Sequence, residues 1–361
     1  MVRGGLAVTP KEILFSTLRR ESPERTPWVP LAGVHAGALT RCPADELLTD
    51  GGRLLNALLA VNRLYRPDGQ AVTYDLSLEA ECLGCDLRWH PSRPPSVFSH
   101  PLADNMIVPC ECTLPGPEDA RLPLVLDVTA RLKSAVGGFT ALIGVVCGPF
   151  TLASHLRGGA LFSDLYDDPR YVRDLLDYCA KSALRLGGLL GGAGADVILV
   201  ADPLAVQLSP DCFSAFLTPP LRMVFDGLRA AGLFSALSVC GDVIGLLPAM
   251  CRTGPDAVFV GEDVDLPLAK SVADRYNVCI GGNLPLNSLL LRGTPQAVLD
   301  HTAALLDAVP DRTGLILATG CDIPYGVPPE NGAAPARAVR VGSRRQPASL
   351  KTRSSTHFPL L

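Results

Sequence analysis

The chain has 361 residues, 48% of them hydrophobic and 19% charged, so it can bury a large core and is not predicted to be disordered. Its net charge of −4 and pI near 5.9 argue against a general nucleic-acid-binding protein. No apolar stretch approaches the roughly 18 residues that cross a bilayer, and no signal peptide is evident at the N-terminus, so we expect a cytoplasmic protein without membrane contacts.

Short apolar runs alternate with helical segments along the chain. The first helix is predicted to begin at Thr9 and to run to about Arg20, because a threonine cap is followed by Pro10 and Glu12. Further helices are predicted at 45–66, 171–190, 210–231, 267–276 and 295–308. Eight runs are predicted strands: 25–31, 71–75, 139–147, 196–202, 233–240, 257–263, 277–283 and 315–322.

This alternation predicts an α/β protein, a single-domain (β/α)8 TIM barrel. Strands that are apolar almost throughout, separated by helices, are typical of a parallel sheet covered on both faces. Eight units in a chain of this length favour a closed barrel, with an open doubly wound sheet as the alternative. The longest insertion, residues 87–136, follows the second strand and is predicted to form a flap over the barrel mouth.

The C-terminal segment does not fit the repeating pattern. We expect the barrel to occupy residues 1–331 and a basic, disordered tail to occupy residues 332–361, which hold six Lys and Arg residues and no acidic residue. Residues 328–331 could start a helix, but no apolar stripe follows them. Two interpretations stay open: a disordered extension, or a changed reading frame that removed the last helix.

The ends of the predicted strands carry the candidate functional residues, because active sites of parallel barrels lie at the carboxyl ends of their strands. Those residues are Asp75, Cys147, Asp202, Cys240, Glu262, Asn283 and Cys321. Two of the runs share one design, an apolar stretch that leads to a cysteine and then an aspartate: residues 235–242 and 315–322. The two thiols are either a metal-binding pair or inert strand-end cysteines. His155, after the third run, is a further candidate for the barrel mouth.

Six segments between Thr9 and Asn331 resemble the uroporphyrinogen decarboxylase superfamily, a group of (β/α)8 barrels. They are residues 9–30, 74–87, 144–158, 194–203, 280–290 and 320–331. Two branches of the superfamily imply different reactions. In the decarboxylases an arginine-rich motif after the first strand binds substrate carboxylates, and an aspartate after the second strand contacts the substrate. Asp75 matches that aspartate, but residues 31–41 lack the arginine motif.

The other branch, the cobamide-dependent methyltransferases, resembles the chain more closely. Its zinc motif is a histidine, one intervening residue, a cysteine and a distant second cysteine. Cys240 and Cys321 match the two cysteines, whereas Ser238 stands at the histidine position. The resemblance therefore implies Cys240 and Cys321 as metal ligands of a zinc ion. Two outcomes stay open at the histidine position: Glu262, Asp202 or His155 replaces the third ligand, or zinc is lost altogether.

The leading functional hypothesis is methyl transfer between a methylcobamide on a corrinoid protein and a small acceptor, expected to be a thiol. Asp75, His155 and Glu262 are the expected catalytic residues, and Asp202 and Asn283 the expected cofactor-binding residues. Uroporphyrinogen decarboxylation and a non-catalytic pocket protein are the alternatives. A homodimer is the expected assembly if the protein is not a monomer.

Overall fold

Eight parallel strands form the central sheet of the protein, whose computed structural model describes residues 8–342. The strands of the described chain are β1 Trp28–Val29, β2 Gly69–Ala71, β3 Leu87–His90, β4 Arg93–Val97, β5 Ala141–Cys147, β6 Val197–Ala201, β7 Phe234–Val239, β8 Ala257–Val260, β9 Cys279–Leu284 and β10 Leu315–Thr319. The sheet order is β1-β10-β9-β8-β7-β6-β5-β2, and β3 and β4 form a separate antiparallel hairpin.

Asp68 closes the sheet into a barrel. The Asp68 N–H, just before β2, donates to the Trp28 carbonyl of β1 at 2.9 Å, and the Asp68 carboxylate accepts from the Trp28 N–H at 2.7 Å. Arg25 donates two hydrogen bonds to the same carboxylate. These contacts join the two end strands of the sheet, so the predicted (β/α)8 barrel is confirmed.

Helices surround the barrel. They are α1 Pro10–Leu18, α2 His35–Thr40, α3 Ala44–Leu47, α4 Gly51–Tyr65, α5 Leu78–Cys82, α6 Leu122–Val136, α7 Pro149–Arg157, α8 Leu161–Asp167, α9 Pro169–Ala193, α10 Pro210–Cys212, α11 Thr218–Ala230, α12 Leu247–Arg252, α13 Leu266–Arg275, α14 Pro295–Asp307 and α15 Pro329–Gly342. Thr9 and Glu12 form a capping box at α1, as the sequence predicts. None of the helices within residues 8–342 is long and apolar enough to span a membrane.

The second strand lies earlier in the chain than the sequence suggested. It ends at Ala71, so Asp75 lies in the loop beyond it and does not end the strand. The Asp75 carboxylate instead accepts from the Ser77 N–H at 3.0 Å and from the Ser77 hydroxyl at 2.6 Å, which is a turn geometry.

The predicted insertion divides into two parts. Residues 87–97 form the β3–β4 hairpin, and residues 94–97 line a pocket at the barrel mouth, so the expected flap is present there. Residues 122–136, however, form α6, one of the helices that pack around the barrel. That half of the predicted insertion is therefore part of the (β/α)8 framework.

The expectation that no helix follows Asn331 is wrong for residues 332–342. Helix α15 continues to Gly342 and packs against α14 and α4. Asn331 anchors it by donating to the carbonyls of Leu290 and Gly293, each at 2.8 Å. The helix buries small residues, Ala334, Ala336 and Val339, and contains Pro335, which is disfavoured within helices. Because of this composition, α15 has no helical stripe of large apolar residues, and the sequence pattern does not predict a helix there. Residues 343–361 of the predicted tail lie outside the described chain.

Hydrogen exchange tests this correction. Amides of residues 336–340 are expected to exchange slowly, because they are held in helical hydrogen bonds beside buried side chains. Peptides from α14, on which α15 packs, serve as the reference in exchange measured by mass spectrometry. Exchange at the rate of an unstructured peptide would contradict the helix and support the disordered extension.

Candidate active site at the carboxyl ends of the strands

Two thiols from distant parts of the chain meet at the barrel mouth. Cys240 directly follows β7 and Cys321 lies two residues after β10, and their sulfur atoms are 2.7 Å apart. Both are free and half-buried. Ala236 belongs to the cluster of side chains inside the barrel. Because alternate residues of a strand share a face, Ser238 and Cys240 are directed toward the same interior. The sequence-based pairing of the two cysteines agrees with this geometry.

The pair is electrostatically asymmetric. The hydrogen bond from Cys240 lowers the pKa of Cys321 to about 7, and the Tyr74 hydroxyl, 3.7 Å from the Cys321 sulfur, acts in the same direction. The hydrogen bond with Cys321, together with burial, raises the pKa of Cys240. One proton is therefore shared between two sulfur atoms, with the negative charge favoured on Cys321.

A pocket of about 470 Å³ opens beside the thiol pair. Tyr74 and Asp322 line it and connect it to the thiols, because Tyr74 contacts the Cys321 sulfur and Asp322 is the next residue in the chain. Burial raises the pKa of the Asp322 carboxyl, which accepts a hydrogen bond from the Gly33 N–H at 2.8 Å. The remaining walls come from the loop after β2, the hairpin, α7 and the segments that follow the hairpin and α7: Leu76, Ser77, Pro94, Pro95, Ser96, Val97, His100, Ser154, His155, Gly158 and Gly159.

His155 lies in the wall of this pocket, as the sequence predicted. Burial lowers its pKa to about 4, so the ring is uncharged at neutral pH. Its Nδ1 atom is buried and has no hydrogen-bond partner among the described residues. Its backbone carbonyl accepts from His100 Nδ1 at 2.8 Å, which fixes the proton of His100 on that nitrogen. The two histidines therefore meet at the same wall.

Asp75, which was also predicted to lie at the barrel mouth, forms an ion pair. Its carboxylate accepts from Arg121 Nη1 at 2.7 Å, and Arg121 Nε donates to Glu81, also at 2.7 Å. The Arg121 guanidinium lies over the ring of Trp89, which belongs to β3 of the hairpin. Asp75 is 3% exposed and is not among the residues that line the pocket. The ion pair thus fastens the hairpin to the barrel.

Asp202 and Asn283, the expected cofactor-binding residues, support the framework. The buried Asp202 carboxylate accepts from the N–H groups of Phe150 and Thr151 and from the Thr151 hydroxyl, and so holds the first turn of α7. The Asn283 side chain donates to the carbonyls of Gly261 and Val264. Neither side chain lines the pocket beside the thiols.

Glu262 lies at the barrel mouth, but its carboxylate is bound by a backbone N–H group. It is exposed, its carboxylate accepts a hydrogen bond from the Leu286 N–H, and its charge opposes ionisation of Cys321. The predicted site residues therefore fall into three groups. Cys240 and Cys321 are in contact, His155 lines the adjoining pocket, and Asp75, Asp202, Glu262 and Asn283 make contacts that order loops or strand ends.

The residues present do not complete a catalytic zinc site, which needs about three protein ligands. Within residues 8–342, no group of three or more histidine, cysteine, aspartate or glutamate side chains is arranged to hold a metal ion. Two thiolates on a tetrahedral zinc with bonds of about 2.3 Å would also lie roughly 3.8 Å apart. The observed separation of 2.7 Å is shorter than that distance, so the two sulfur atoms are not spaced as ligands of one zinc ion.

Three titratable pocket residues were not among the predicted site residues: Tyr74, His100 and Asp322. Tyr74 and Asp322 each adjoin a residue that had been singled out, Asp75 and Cys321, so their neighbours carried a signal. His100 lies in the proline-rich segment that was expected to cover the mouth. No local pattern distinguished it from a surface histidine.

Thiol alkylation at different pH values tests the asymmetry of the pair. Labelling of Cys321 by iodoacetamide is expected to increase with pH around a midpoint near 7, because the thiolate is the reactive form. In Cys240→Ala the donor is lost, and the midpoint is expected to move to higher pH. Mass spectrometry of the Cys321 peptide measures the labelling. Cys251→Ala, which removes a buried thiol in α12, is the control, and an unchanged midpoint in Cys240→Ala would contradict the shared proton.

The chain is similar to known proteins over most of its length. It is 27% identical over 329 residues to "Methylcobamide:CoM methyltransferase MtbA" of Methanosarcina acetivorans, covering 90% of this chain and 95% of that protein. It is 30% identical over 273 residues to "Methylated-thiol--coenzyme M methyltransferase" of Methanosarcina mazei, covering 74% and 71%. A solved structure described as a methyltransferase from Methanosarcina mazei superposes with a TM-score of 0.84 at 25% identity, covering 92% of this chain and 99% of that one.

The family profile described as "Uroporphyrinogen decarboxylase (URO-D)" matches residues 9–341. This match confirms the resemblance predicted from the sequence and extends it ten residues beyond Asn331, through most of α15. The chain belongs to the uroporphyrinogen decarboxylase (URO-D) family.

Proposed function

We propose that this protein is a corrinoid-dependent methyltransferase that moves a methyl group between a methylcobamide, carried on a corrinoid protein, and a small thiol. The observation that carries the proposal is the contact between Cys240 and Cys321, 2.7 Å apart, beside a pocket at the carboxyl ends of the strands. The names of the similar methyltransferases, which include methylcobamide and a methylated thiol, support the same class of reaction.

The residues of the chain supply proton transfer and positioning in this proposal. A methylcobamide would supply a methyl group bound to cobalt, and the acceptor thiol must lose its proton to attack that group. Hydrogen bonds from Cys240 and Tyr74 stabilise the Cys321 thiolate, whose pKa is lowered to about 7, and this thiolate accepts the proton and leaves the negative charge on the acceptor sulfur. The walls formed by the hairpin and His155 would contact the acceptor on the side away from the thiols.

Decarboxylation of uroporphyrinogen is less well supported. A substrate with many carboxylates needs arginine partners, and none of the described residues that line the pocket is Arg or Lys. Arg41, which ends the segment where the arginine motif would lie, is exposed and adopts the left-handed conformation that terminates α2. Measurement of methyl transfer distinguishes an enzyme from the alternative, a non-catalytic pocket protein.

The expected zinc, corrinoid protein and homodimer stay predictions. Cys240 and Cys321 would supply two of the ligands of a zinc ion, and Ser238, directed to the same interior as Cys240, stands where the resemblance implies the third. No catalytic step above depends on zinc.

Methyl transfer can be measured directly. Under anaerobic conditions the protein is expected to convert methylcobalamin and a small thiol into a methyl thioether and cob(I)alamin, followed by absorbance and gas chromatography. Cys321→Ser is expected to lower the rate by about 100-fold, because the proton acceptor is lost, whereas Cys251→Ser should have little effect. Production of coproporphyrinogen from uroporphyrinogen, without methyl transfer to any thiol, would overturn the proposal.

Introducing a histidine at position 238 tests whether Cys240 and Cys321 can form part of a zinc site. Ser238→His is expected to raise the zinc content to about one ion per chain, because a histidine joins two thiols on one wall of the interior. Elemental analysis of protein purified without chelator measures the metal, and Ser238→Ala is the matched control. A folded Ser238→His protein with the zinc content of the alanine control would show that the pair is not a remnant of a zinc site.

A further inference from the structure

We propose that the acceptor of this enzyme carries no anionic group and is a small, uncharged, mainly apolar thiol. The proposal rests on the proposed methyl transfer and specifies its substrate class. It arises from the contents of the pocket beside Cys240 and Cys321, which contains no counterion for a sulfonate or carboxylate among its described lining residues.

The walls of the pocket are mainly apolar. Leu76, Pro94, Pro95 and Val97 present carbon atoms to a volume of about 470 Å³, which suits a small organic molecule. The polar lining groups are serines, two histidines, Tyr74 and Asp322. Hydroxyl groups can bind a neutral polar atom, but they do not compensate a full negative charge that is removed from water.

Two of the titratable lining groups, His155 and Asp322, add no positive charge that would favour an anion. His155 is uncharged at neutral pH because burial lowers its pKa to about 4. Asp322 contributes a carboxyl group, which carries no positive charge in either protonation state. His100 uses its Nδ1 proton for the His155 carbonyl, so only Nε2 is left for a ligand.

Three arginines of the elements around the pocket are engaged elsewhere. Arg121 is bound between Asp75 and Glu81, and Arg157, at the end of α7, pairs with Asp164 and donates to two backbone carbonyls. Arg88 of the hairpin lies over the exposed ring of Phe98. An anion in the pocket would have to break one of these arrangements to recruit any of these three guanidinium groups.

The methyl transfer itself does not need a charged acceptor. The sulfur–carbon bond forms as the cobalt–carbon bond breaks, the electron pair of that bond stays on cobalt, and the thiol proton passes to Cys321. A charged group elsewhere on the acceptor would serve binding alone. Its absence leaves the binding free energy to apolar contact with the pocket walls.

Binding of two nearly isosteric thioethers tests the inference without relying on turnover. The S-methyl derivatives of 3-mercaptopropanamide and 3-mercaptopropanoate differ in an amide against a carboxylate. By calorimetric titration at pH 7.5, the amide is expected to bind at least about tenfold more tightly, because the carboxylate loses its hydration without a counterion. Equal or tighter binding of the carboxylate would overturn the inference.

A charge-gain variant tests the physical reason. Val97→Arg places a guanidinium in the pocket wall and is expected to improve carboxylate binding about tenfold or more. Phe139→Arg, just before the amino end of β5 and so at the opposite end of the barrel, is 66% exposed and does not line the pocket; it is the control and should change the binding of neither ligand. Failure of a folded Val97→Arg protein to gain carboxylate binding would refute the missing counterion as the cause.

The same ligands separate this inference from the proposed function. If the amide binds preferentially but no thiol is methylated from methylcobalamin, the charge selectivity stands and the methyl transfer fails. If thiols are methylated and the carboxylate acceptor has the higher kcat/KM, the methyl transfer stands and the charge selectivity is refuted.

Discussion

Closure of the parallel sheet is the constraint on which the proposed site depends. Cys240 follows β7 and Cys321 follows β10, and β8 and β9 lie between these strands. With neighbouring strands about 4.8 Å apart, the two backbones would be roughly 14 Å apart in a flat sheet. Curvature into a barrel, completed by Asp68 between β1 and β2, brings sulfur atoms separated by 81 residues to 2.7 Å. A protein that kept these strands but opened the barrel would lose the thiol pair.

Some polar residues at the strand ends order the framework, whereas others lie at the reactive groups of the site. Asp202 holds the start of α7, the helix that presents His155, and Asn283 holds the loop after β8. Asp75 holds Arg121, whose guanidinium supports Trp89 of the hairpin that walls the pocket. These side chains are engaged in hydrogen bonds and ion pairs with the framework, so they order the site without lining its pocket. The groups that remain available for chemistry are the two thiols and the side chains of Tyr74, His155 and Asp322.

The sequence predicted the barrel and the thiol pair well, because both depend on patterns that physical chemistry makes local. Apolar runs mark buried parallel strands, and the residues after them must lie at one end of the barrel. The roles of Asp75 and Asp202 could not be predicted, because they depend on partners, Arg121 and Thr151, that are distant in sequence. Helix α15 was missed because it buries alanines and contains Pro335. The set of side chains that lines the pocket depends on the position of the hairpin over the barrel mouth. Hydrophobic periodicity does not predict that position.

The central claim is that the acceptor sulfur is placed at the Cys240–Cys321 pair. A crystal structure with a bound neutral methyl thioether tests it most directly, with the ligand sulfur located by anomalous scattering. The account predicts that sulfur in the pocket lined by Tyr74 and Asp322, within about 4 Å of Cys321 Sγ, a distance compatible with hydrogen bonding to sulfur. A thioether bound elsewhere, with the pocket filled by ordered solvent, would contradict it.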